Sequence, residues 1–138
     1  MSVGIKVGSI IDEIGTSNFL HAFFSTVSAN LESNGWGTCF PIVLGKLYQG
    51  YLEPGLANQA ISELTQIRKA LSDLEPARVV WDIEHPTRQP PWGNKISSDI
   101  TSLANYFVTS TGRDLISTLI EALEDAAKGG KPAAIVQY

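Results

Sequence analysis

The chain has 138 residues, 43% of them apolar and 17% charged, with a formal net charge of −4. That length and balance fit one folded unit spanning residues 1–138 and exclude a disordered or fibrous chain. Ten basic residues face 14 acidic ones, and only Arg68–Lys69 are adjacent, so no basic stripe exists to neutralise phosphates. Nucleic acid is therefore not expected as a direct ligand.

The opening MSVGIKVGSIID has no basic segment followed by a long apolar run, and does not read as a signal peptide. No apolar stretch approaches the roughly 20 residues of a membrane span. Cys39 is the sole cysteine, which leaves neither an internal disulfide nor a cysteine-based zinc cluster. A soluble, cytoplasmic setting is expected.

Val3–Ile11 carries Val3, Ile5, Val7, Ile10 and Ile11, an alternation that predicts an opening strand. Gly15–Asn18 supplies turn and cap residues. Leu20, Phe23, Phe24, Val27 and Leu31 then recur at steps of three and four, which predicts an amphipathic helix ended by Asn34–Gly35. Thr38–Leu44 and Lys46–Leu52 are β-prone runs separated by Gly45 and read as two sequential strands or a hairpin. Ala57, Ala60, Ile61, Leu64, Ile67, Leu71 and Leu74 form the clearest helical stripe, stopped by Glu75–Pro76. Arg78–Glu84 is β-branched and aromatic and is expected to be a strand. His85–Asn94, with its prolines, is an irregular loop.

Ile96–Phe107 reads as a helix capped by Ser97 or Ser98, although Tyr106–Thr109 suits extended chain equally well. Arg113–Ala127 is a helix closed by Gly129–Gly130, and Ala133–Tyr138 a short final strand. The expected class is α+β: a mixed or antiparallel sheet packed with about four helices, in the approximate order β-α-β-β-α-β-α-α-β.

The chemistry-bearing residues are sparse. His21 and His85 are the only histidines. On a strand, Asp82 and Glu84 would face one side and His85 the other, so they would share no metal. Cys39 sits in an apolar run where a buried, inert thiol is expected. The sequence contains no Walker loop, G-x-G-x-x-G, G-x-S-x-G or H-E-x-x-H. Neither a cofactor nor a resident metal is expected.

Three blocks together carry a resemblance. Leu47–Leu52 precedes the long helix, Val79–Glu84 leads into Pro90-Pro91-Trp92-Gly93, and Ser102-Leu103-Ala104-Asn105-Tyr106-Phe107-Val108-Thr109 runs through Gly112-Arg113-Asp114-Leu115 into the last helix. Over roughly residues 40–127 this arrangement resembles the immunity protein 70 family of bacterial polymorphic toxin systems. The resemblance implies a protein that protects its producer from a secreted or contact-delivered toxin, often a nuclease. It implies no enzymatic activity and no cofactor.

Under that resemblance an acidic surface would dock on a basic nuclease toxin and cover it, steered by charge and held by a few aromatic anchors. The candidate toxin-binding residues are Asp73 and Glu75 at the end of the long helix, Asp82 and Glu84, and Trp92 in its proline-stiffened loop. Each carboxylate also suits ordinary solvation. Trp92 either caps the core beneath its loop or projects as an anchor. Two other functions stay open at this point: a small enzyme using dispersed carboxylates or Cys39 with a histidine, and an interaction module whose target is not a toxin.

Overall fold

A computed structural model describes residues 2–138. β1 (Ser2–Val7) and β2 (Ile10–Thr16) form an antiparallel hairpin in which Val7 pairs with Ile10. The turn between them uses Gly8 at φ 63°, a left-handed conformation that costs a glycine little. The run expected as one strand is therefore two, because Gly8-Ser9 reverses the chain inside an apolar alternation that continues across the turn.

α1 (Ser17–Leu31) follows directly, with the Thr16 hydroxyl accepting the Phe19 amide at 3.1 Å as its N-cap. After a loop, Val43–Leu47 winds into a π-helical turn, and only β3 (Tyr51–Leu52) of the expected second strand region pairs with the sheet. The Glu63 carboxylate reaches across to the amides of Ile42 (3.2 Å) and Val43 (2.8 Å), fixing the start of that turn. Val43, Leu44 and Leu47 are buried on it, so the apolar composition read as strand is satisfied by packing instead.

α2 (Ala57–Leu71) buries the Ala57, Ala60, Leu64, Ile67 and Leu71 stripe as expected. α3 (Leu115–Gly129) is capped by the Asp114 carboxylate, which accepts the Ser117 amide at 2.9 Å, and is closed by Gly130. β4 (Ala133–Gln137) then enters the sheet between β1 and β3, giving the order β2-β1-β4-β3 with every pairing antiparallel.

This is the α+β class and antiparallel sheet that the sequence predicts. Val3, Ile5, Val7, Leu52 and Ala133 form the covered face of the sheet. α1 and α3 pack on it, and α2 packs on α3. Phe23 and Phe24 of α1 fill the centre with Phe107, where full burial of one such side chain contributes about 1.5–3 kcal/mol.

Besides the strand expected at Thr38–Leu44, two further expected elements are absent. The expected strand Arg78–Glu84 does not join the sheet: Pro76–Arg78 is a 3-10 turn, residues 79–82 pair with no strand, and Ile83–Glu84 already turn. The backbone of this segment is bonded instead by polar side chains of α1: Thr26 Oγ1 accepts the Val80 amide at 3.0 Å and donates to the Val80 carbonyl at 3.1 Å. Ser25 Oγ accepts the Ile83 amide at 3.1 Å, and Asn30 Nδ2 donates to the Arg78 carbonyl at 3.0 Å. Residues 96–107 form successive turns, not a helix, because local side chains take the backbone donors. Asn105 Oδ1 accepts the amides of Thr101 and Ser102, Ser102 Oγ accepts that of Ala104, and Ser97 Oγ that of Asp99.

Candidate functional site

The extended strap held against α1 ends in a tight turn at Asp82. The His85 amide donates to the Asp82 carbonyl at 3.0 Å and the Glu84 amide to Asp82 Oδ1 at 3.0 Å, which folds the chain back on the carboxylate. That turn brings His85 to Asp82, where a strand would have separated them. Asp82 Oδ1 also accepts from His21 Nε2 at 3.2 Å, and Oδ2 accepts from His85 Nδ1 at 3.1 Å and Arg88 Nη1 at 3.5 Å. Partial burial pushes this carboxyl up, but the bonds from His85, the Glu84 amide and His21, with the His21 charge, outweigh it and hold the pKa down at about 2.

His21 faces outward from α1, one turn before Ser25, and carries the network to a second element. Its Nε2 must bear a proton to bond a carboxylate, so in the neutral ring Nδ1 accepts from the Tyr48 hydroxyl at 2.7 Å. Tyr48 directly follows the π-helical turn. Burial raises its pKa, and the charges of Glu84 and Asp82 raise it further.

Trp36 completes the wall. It sits between Gly35 (φ 113°) and Gly37 (φ 80°), conformations that residues with a Cβ rarely adopt. The loop is anchored by Glu32, only 4% exposed, whose carboxylate accepts the amides of Gly37, Cys39 and Phe40, each at 2.9 Å. Trp36 Nε1 donates to the Leu44 carbonyl at 3.2 Å. Its ring stacks on His21 at 6.2 Å and meets Tyr48 at 5.4 Å.

Together His21, Trp36, Tyr48, Gln49, Ile83 and Glu84 line an open groove of about 430 Å³. Cys39, expected to be buried, is exposed, because Thr38–Leu44 is an anchored loop leading into a helical turn and not a core strand.

The sequence-predicted residues fall in three places. Glu84 lines this groove and is exposed at its rim, while Asp82 stands behind it, bonded to the lining residue His21. Asp73 and Glu75 lie exposed beyond the end of α2, and among the described residues neither side chain makes a hydrogen bond or ion pair. Trp92 is 38% exposed. It donates to the Tyr106 hydroxyl at 2.8 Å and packs edge-on against Trp81 at 5.4 Å, so it both covers the core and shows a face to solvent.

The family model described as immunity protein 70 matches residues 5–135. The chain belongs to that family. The match extends well beyond residues 40–127, taking in β1 from Ile5 onward, β2 and α1, and so includes His21, Glu32 and Trp36. No curated protein and no solved structure matches the chain. Among the described residues of this immunity protein 70 member, no three His, Cys, Asp or Glu side chains are grouped to hold a metal ion, and no helix is long and apolar enough to cross a membrane.

Trp36, Tyr48 and Gln49, and the place of His21 beside them, escaped sequence reasoning because α1, a loop and the chain just after a π-helical turn deliver them from distant positions. The available signal was the polar set Ser25, Thr26 and Asn30 within an apolar helix, which marks a face that must bind another segment.

Proposed function

We propose that this immunity protein neutralises a cognate bacterial toxin by binding over its working surface, and that the toxin is a basic nuclease delivered into the cytoplasm by a contact-dependent system. The observation that carries the reading is the family match over residues 5–135. The net charge of −4 supports a basic partner. The contact residues are Glu84 with Asp82 behind it, Asp73 and Glu75, and Trp92. Glu84 and Trp92 are the natural anchors, one an exposed carboxylate and the other an aromatic face held by a hydrogen bond. Residues 1–138 act as one immunity domain, with no cofactor and with no nucleic acid or membrane as a direct ligand.

The hydrogen-bonded chain Asp82–His21–Tyr48 also invites a catalytic reading. The phenol at its end has a pKa raised by burial and by the charges of Glu84 and Asp82, which opposes formation of a nucleophilic phenolate. The chain serves to fix the Tyr48 ring in the groove wall.

Co-expression with the toxin encoded beside this gene tests the proposal. Cells are expected to survive and the two proteins to co-purify, with Glu84→Lys and Asp73→Lys together weakening the complex more at low salt than at high salt. Cell death without complex formation contradicts it.

A further inference from the structure

The groove beside α1 has an unusual inventory of polar groups. The Trp36 indole N–H is spent on the Leu44 carbonyl, and the Tyr48 hydroxyl on His21. His21 Nε2 is spent on Asp82. Gln49 turns its amide nitrogen inward to the Leu44 carbonyl at 3.4 Å, which leaves its carbonyl oxygen without a protein donor among the described residues. Glu84 uses only its backbone amide, and among the described residues its carboxylate forms no ion pair. The wall therefore presents aromatic faces and two free acceptors, the Glu84 carboxylate and the Gln49 carbonyl, with the Trp36 indole N–H and His21 Nε2 turned away.

Arg88 and His85 engage Asp82 Oδ2 and offset its charge, so the carboxylate left unpaired at the groove among the described residues is that of Glu84. Glu84 lines the same groove as Tyr48, whose pKa is raised by burial first and then by the charges of Glu84 and Asp82. A ligand that suits this surface carries positive charge, several N–H donors and a flat face that stacks on rings. Guanidinium has all three, while a lysine ammonium lacks the plane and the fork.

We infer that this groove receives an arginine side chain of the partner protein, stacked against Trp36 and Tyr48 with its N–H groups directed to Glu84 and the Gln49 carbonyl. The inference rests on the immunity reading for who supplies the arginine, but not for the chemistry of the groove. It assigns Trp36, Tyr48 and Gln49 a binding role alongside Glu84.

The test uses the full chain and a probe that stands for the side chain alone. N-acetyl-L-arginine methylamide is titrated while the tryptophan indole resonances are followed by NMR, with the citrulline analogue as the uncharged isostere. The expected result is a saturable millimolar shift of the Trp36 indole with arginine and none with citrulline, while the Trp92 indole stays still. Glu84→Gln, an exposed change that removes no hydrogen bond, is expected to weaken the arginine probe about threefold, the scale of an exposed charge pair.

Equal shifts from arginine and citrulline, a silent Trp36, or unchanged affinity in Glu84→Gln would overturn the assignment. Protection against the toxin is scored separately. Arginine binding without protection defeats the immunity reading alone, and protection with a silent Trp36 defeats the arginine site alone.

Discussion

Glu32 is the residue whose removal should tell most about how the site is built. Its carboxylate is nearly fully buried and accepts three backbone amides, those of Gly37, Cys39 and Phe40. Hydrogen bonds to a charged group contribute about 1.5–3 kcal/mol each when the partner would otherwise be buried unpaired. The loop can open and rehydrate some of those amides, so the sum is an upper bound. Glu32→Ala is expected to lower unfolding stability by about 3–4 kcal/mol, a large part of the roughly 5–15 kcal/mol of an ordinary domain.

Glu32→Gln keeps one acceptor oxygen, which can hold Cys39 and Phe40, and turns an NH₂ toward Gly37. Its cost should be roughly half as great. Urea unfolding followed by tryptophan fluorescence reads both quantities; because Trp81 and Trp92 also emit, the Trp36 emission is taken as the difference from Trp36→Phe in each background, and it should shift to the red in Glu32→Ala. A loss below about 1 kcal/mol with unchanged Trp36 emission would refute the claim that this carboxylate builds the loop, since even one such bond exceeds that figure.

Ser28 Oγ is buried on α1 and is the one buried side-chain polar atom without a partner among the described residues; Ser28→Ala should stabilise the fold by about 1 kcal/mol in the same unfolding assay. Asp82 has its pKa lowered from 3.8 to about 2, so its stabilising contribution is complete above 3.8 and is lost as pH falls toward 2. Asp82→Asn should lack that acid-limb loss, giving a flatter stability curve than wild type between those two values. Glu63 is shifted the opposite way, upward, chiefly by burial and also by the Glu32 charge, against the amide bonds of Val43 and Ile42. Its ionisation therefore costs stability as pH rises through and above 4.5, and Glu63→Gln should remove that part of the pH dependence in acid-to-neutral unfolding titrations. Cys39 is exposed, so an aromatic disulfide reagent should modify it stoichiometrically in the folded protein, without unfolding first.

The helices were legible because burial repeats at their own period: the stripes through Phe23–Phe24, Leu64–Ile67 and Leu119–Leu123 are each buried in α1, α2 and α3. The hairpin was hidden by its own regularity, since the alternation Val3, Ile5, Val7 continues into Ile10 and Ile11 across Gly8-Ser9. Val79–Glu84 has strand composition, yet strand composition reports a fit to a half-buried surface and not to a ladder. Here the surface is α1, and Ser25, Thr26 and Asn30 take the place of a neighbouring strand. The 96–107 segment has helical apolar spacing that its Ser, Thr and Asn side chains overrule by capturing local amides.

For the site, Asp82, Glu84 and Trp92 could be singled out by type, but the groove could not. It exists only because Tyr48 is 27 residues from His21 and Asp82 is 61 residues from it, distances along the chain that carry no periodic signal. Glu32 had a faint one, an acidic residue at a helix end followed by Gly35-Trp36-Gly37, where free amides need an acceptor.

Stoichiometry tests the central claim most directly. The purified toxin's activity is measured against increasing amounts of the purified protein after short and long incubation. A binding inhibitor predicts a linear loss that ends near one equivalent and does not deepen with time. Loss at a small fraction of an equivalent that grows with incubation would mark a catalyst, and an unchanged toxin would leave the protein without the role given to it here.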